Sequence, residues 1–141
     1  MKRPLGIYVL CAAVLASLAG AMSCWSAIVP RLISGPGPKS WVEWVAVTVL
    51  TALPFSVPPA AVGAWQRSHW APAAVLVWGS LWIGEMALTF LAAGALAGIS
   101  GPEWFLPWVA VLGSALGLGS VVRYMGRAVS AAAGERSRSS T

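Results

Sequence analysis

The sequence predicts an all-α, polytopic membrane protein: an antiparallel bundle of four transmembrane helices forming a single domain over 1–130. Three observations predict it. Of the 141 residues, 58% are apolar and 9% charged, far from the roughly 25% charged of an ordinary soluble domain. The apolar residues gather in four runs, 5–29, 41–65, 71–97 and 104–122, each near the ~20 residues that cross about 30 Å of hydrocarbon. None of the runs alternates in polarity as a spanning β-strand does, so their backbones must find hydrogen-bond partners within helices.

The first run, 5–29, carries no charge. Lys2-Arg3, the apolar stretch and Ala19-Gly20-Ala21 resemble a cleavable signal peptide. The apolar run continues past Ala21 to Val29, however, and is long enough to span by itself, so an uncleaved helix is expected. Cys11 and Cys24 stand 13 residues apart on this helix, about 20 Å along its axis. They cannot pair with each other within it.

The second run, 41–65, opens on Ser40-Trp41-Val42-Glu43, a capping-box spacing in which Ser40 accepts an early backbone N–H and Glu43 reaches back to the Ser40 N–H. Near its middle stand Pro54, Pro58 and Pro59. Each removes a backbone donor and crowds the carbonyl four residues earlier, so a kinked helix is expected there, with a discontinuous helix as the alternative. The hydroxyls of Thr51 and Ser56 are near enough to bond the freed carbonyls.

The third run, 71–97, contains Glu85, 14 residues after Ala71 and 12 before Ala97. An acidic residue at that depth costs roughly 2.5–3.5 kcal/mol on insertion scales. The carboxyl must therefore face protein or water, take a partner, or carry a proton. Trp78, Trp82 and Thr89 share its strip of the helix at 100° per residue. These four residues form a candidate intramembrane polar site.

The fourth run, 104–122, follows Ser100-Gly101-Pro102-Glu103, a second S-x-x-E box pairing Ser100 with Glu103. Beyond it, 131–141 is small, polar and basic, and reads as a disordered tail. Gly113-x-x-x-Gly117 and Gly94-x-x-x-Gly98 are small-residue ridges of the kind that let membrane helices approach closely. A faint echo joins the two outer turns: Ile33-Ser34-Gly35-Pro36 recurs as Ile99-Ser100-Gly101-Pro102.

Charge sets the orientation. Lys2, Arg3, Arg67, Arg123, Arg127, Arg136 and Arg138 fall on one side, against Arg31 and Lys39 on the other. Seven against two places both termini in the cytoplasm. Trp65 and Trp70 then lie at the inner boundary, and Trp25, Trp41, Trp44, Trp104 and Trp108 at the outer one.

The net charge of +5 serves topology, and a nucleic-acid partner is not expected. The expected partners are the lipid bilayer and either further copies or other membrane subunits. One His and two separated Cys make no ordinary metal site, and no nucleophile–base pair or phosphate loop is visible. Neither a metal, a cofactor nor an enzymatic activity is expected. The reading is a small structural or accessory protein of the plasma membrane. The alternative is a proton- or cation-coupled transporter using Glu85 and the proline-rich second helix. Heavy use of Ala, Gly and Arg is associated with GC-rich bacterial genomes.

Overall fold

The computed structural model describes residues 5–35, 41–97 and 105–139. It is all-helical, with α1 over Leu5–Ser34, α2 over Trp41–Gln66, α3 over Ala71–Ala97 and α4 over Phe105–Ser139. All four are long and apolar enough to cross a membrane.

The described extents of α2 and α3 coincide with the apolar runs to within a residue, and the turn-forming residues between Gln66 and Ala71 separate the two helices. Two boundaries differ. In α1 the helix passes through Pro30 to Ser34, although Pro30-Arg31 fell outside the first apolar run. The Ser34 hydroxyl donates to the Pro30 carbonyl at 2.6 Å, bonding the last turn from its side. In α4 the helix continues beyond 122 to Ser139, so most of the segment expected as a disordered tail is helical. Arg127, Ala128 and Ala131 to Ala133 are strong helix formers, and no proline interrupts them. Polarity ends an apolar run without ending a helix.

The discontinuous alternative for α2 is not what the helix shows. The helix runs unbroken through Pro54, Pro58 and Pro59. The local hydroxyls do not bond the carbonyls that the prolines free: Ser56 Oγ donates to Leu53 O at 2.7 Å, and Thr51 Oγ1 to Val47 O at 2.7 Å.

Packing follows chain order, α1 on α2, α2 on α3 and α3 on α4. Tyr8 meets Trp65 edge-to-face with ring centroids 5.6 Å apart, while the Cys11 thiol lies 3.8 Å from Ala61 O. Rising numbers on α1 thus meet falling numbers on α2, which is antiparallel packing.

A compact turn joins α2 to α3. Arg67 N–H donates to Ala64 O at 3.4 Å and Ser68 N–H to Gly63 O at 3.2 Å. This is the paired closure of a Schellman motif, with Arg67 in the left-handed region at φ 50°. The Trp70 ring folds back onto Gly63, where an added Cβ would lie 2.6 Å from Cζ3. Only a residue without a side chain admits that ring.

A buried cluster lies in the half of the bundle nearest this turn. Ile7, Leu10 and Val14 of α1 meet Val57 and Ala60 of α2, Val75 of α3 and Met125 of α4. Away from it the outer helices are thinly covered: 11% of the α3 span and 6% of the α4 span are buried inside the chain. The apolar side chains of Leu112 and Leu116 are exposed on α4. In water an apolar perimeter of this kind is a liability, whereas in hydrocarbon it is ordinary.

Candidate functional site

The four residues expected to act together on α3 divide between two environments. Trp78 and Trp82 turn towards α1. The Trp78 indole N–H donates to Ser17 Oγ at 2.9 Å, and the Ser17 hydroxyl in turn donates to Val14 O at 2.6 Å. This chain ties α3 to α1 and saturates both side chains. The Trp82 ring reaches Gly20, where an added Cβ would lie 3.2 Å from Cη2. Its Nε1 is buried and has no hydrogen-bond partner among the described residues, an arrangement that costs about 1–3 kcal/mol.

Glu85 and Thr89 form the other group. Glu85 is half-buried, and its carboxyl accepts the Thr89 hydroxyl at 3.0 Å, one turn along the same helix. The side chains that the sequence aligned on a strip therefore do not form one polar network. Nor does Glu85 take up the proline-freed carbonyls of α2 in any hydrogen bond among the described residues.

The capping residues are only partly visible. Glu43 lies in the first turn of α2, as a capping box requires, whereas Ser40, Ser100 and Glu103 lie outside the described residues. Among the described residues no three His, Cys, Asp or Glu side chains gather as a metal-binding group.

Two hollows flank the tryptophans. One, of about 430 Å³, is lined by Ser17, Trp78, Trp82, Met86, Ser114 and Leu118. The second, of about 570 Å³, lies between α1 and α4, with Leu5, Val9, Ser120 and Tyr124 on its walls. Both have almost wholly apolar linings, their polar groups being the hydroxyls of Ser17, Ser114, Ser120 and Tyr124 and the indole N–H of Trp78 and Trp82. A third, more polar hollow of about 690 Å³ lies where the Gln66–Trp70 turn faces Val129 and Ala133 of α4.

Sequence reasoning missed Ser17 and Tyr124. Ser17 is an isolated hydroxyl in a charge-free run, and its role appears only once α3 is laid beside α1. Tyr124 packs over Gly6, where an added Cβ would lie 2.6 Å from the phenol oxygen. The pairing of a glycine and an aromatic more than a hundred residues apart leaves no local signal.

Compared with protein families, with characterised proteins and with solved structures, the chain matches none.

Proposed function

We propose that this chain is an integral protein of a bacterial plasma membrane, with both termini in the cytoplasm, acting as a structural or accessory subunit. It packs through its α3–α4 side against further copies of itself or against a larger membrane complex. The observation that carries this reading is the state of the α4 ridge. At Gly113 and Gly117 an added Cβ would meet nothing within 4 Å, so among the described residues none packs on the close-approach surface of that helix. Small residues at such a ridge are favourable where a second helix backbone comes near. Without one, glycine in a helix costs about 1 kcal/mol relative to alanine.

The transport alternative rests on Glu85 at mid-span. It is the weaker reading, because the carboxyl accepts a hydrogen bond from its own helix and, among the described residues, no hydrogen bond joins it to a second titratable group.

The experiment is association measured in lipid nanodiscs by native mass spectrometry, together with Gly117→Leu. Association that falls at least several-fold in Gly117→Leu supports the packing role. A wild-type chain that is monomeric, cross-links to nothing in its native membrane, and carries a proton or cation flux abolished by Glu85→Gln overturns it in favour of transport.

A further inference from the structure

The two apolar hollows adjoin. Both are lined by Ala13, Trp78 and Val121, so together they form a groove along α1 and α4, from Leu5 and Tyr124 at one end to Ser17 and Ser114 at the other. Along α1 this covers twelve residues, about 18 Å at the helical rise. That is close to the depth of one leaflet, half of about 30 Å of hydrocarbon. The groove runs along the helices, which is also the direction in which lipid chains lie.

Its ends differ in chemistry. At the deep end Trp82 and Leu118 line it together with the Ser17 and Ser114 hydroxyls, and no charged side chain is among its lining residues. At the other end the Tyr124 ring packs on Gly6, and the strip of α4 carrying Ser120 and Tyr124 continues at three- and four-residue spacing to Arg127. Arg123 and Arg127 are both exposed. An apolar slot with a phenol at its mouth and an exposed arginine, Arg127, one helical turn beyond it complements one kind of occupant: a molecule with a hydrocarbon chain and an anionic headgroup.

We propose that the α1–α4 groove holds an acyl chain of an anionic phospholipid from the leaflet on the Arg127 side, with its phosphate beside Arg127. The proposal rests on the chain lying in a bilayer. It assigns the groove to lipid; Gly117, three residues before Ser120 and four before Val121, borders that groove, so a protein partner on the glycine ridge would meet its edge.

The test uses the full chain in nanodiscs of equal phosphatidylglycerol and phosphatidylcholine with identical acyl chains, followed by native mass spectrometry of retained lipid. Wild type is expected to retain the anionic lipid with roughly fivefold preference, about one basic residue's attraction for an anionic surface. Ala13→Leu fills the groove and should lower total retained lipid several-fold. Ala12→Leu adds the same bulk to α1 at a position outside the groove and should not. Arg127→Gln should remove the headgroup preference while leaving total retention unchanged, and it keeps the test decisive if Ala13→Leu does not fold. Equal retention of the two lipids by wild type overturns the proposal, as does equal behaviour of Ala13→Leu and Ala12→Leu. A lipid-free dimer that Ala13→Leu dissociates would assign the groove to a second copy and also overturn it. A chain that needs detergent yet retains no lipid ends the lipid proposal and leaves membrane residence standing.

Discussion

Ser17 shows how one hydroxyl can fasten two helices. It accepts from Trp78 Nε1 and donates to Val14 O, so its removal leaves an indole N–H with no partner. Interhelical hydrogen bonds in membranes average about 0.6 kcal/mol and reach about 1.7. Ser17→Ala is therefore expected to destabilise the bundle by about 1 kcal/mol. A double-mutant cycle with Trp78→Phe should show coupling of similar size, measured by reversible unfolding in mixed micelles. Additive single effects would mean that the bond contributes nothing.

Arg67 presents the reverse case. A non-glycine residue at φ 50° carries strain of about 1 kcal/mol, and glycine is the usual residue at that position of the motif. Arg67→Gly should raise stability by about that amount, seen as a higher unfolding midpoint. If the cytoplasmic reading is right, the arginine is kept for its charge. The same substitution should then increase the fraction of inverted chains in a topology reporter assay.

At the scale of elements, the contact most sensitive to bulk lies between α3 and α4. A Cβ at Gly79 would collide with the Leu118 side chain. Gly79→Val is expected to push the helices apart at a cost of about 1–3 kcal/mol. Leu118→Ala should restore much of that, whereas the same Leu118→Ala alone should be destabilising. A rescue that fails would show that Gly79 serves its own helix rather than the interface.

The extents of α2 and α3 were legible because hydrophobic length and polar stops coincide there, at Gln66 and again before Ala71. The reach of α4 was not, since helix propensity outlasts hydrophobicity past Arg123. The unbroken course of α2 was hidden for a related reason. Proline removes one donor but does not by itself decide whether the turns on either side stay aligned. Side-chain pairs between helices were the least legible. Trp78 and Glu85 occupy one strip by periodicity, yet which neighbour each meets depends on how α1 sits on α3.

For the whole molecule, the balance of buried and exposed surface is the informative quantity. An 18-residue window of α1 or α2 is 28% buried, against 6% for α4, so the chain does not enclose its own outer helices. Lipid in the α1–α4 groove and a protein partner on the α4 ridge would cover adjoining parts of that surface, since Gly117 lies within four residues of Ser120 and Val121. Arg127→Gln separates them: it should remove the headgroup preference of the retained lipid without altering association.

The contact between Gly6 and Tyr124 bears on the order in which the bundle is assembled. The turn after α2 closes within six residues, from Gly63 to Ser68, and needs nothing from elsewhere. Gly6 and Tyr124, by contrast, are separated by most of the sequence, and closing so long a loop carries the larger entropic cost. During synthesis the α2–α3 hairpin can therefore form while α4 is still inside the ribosome, and the α1–α4 seam is the last to close. Any lipid destined for that seam has free access to it from the side until Tyr124 arrives.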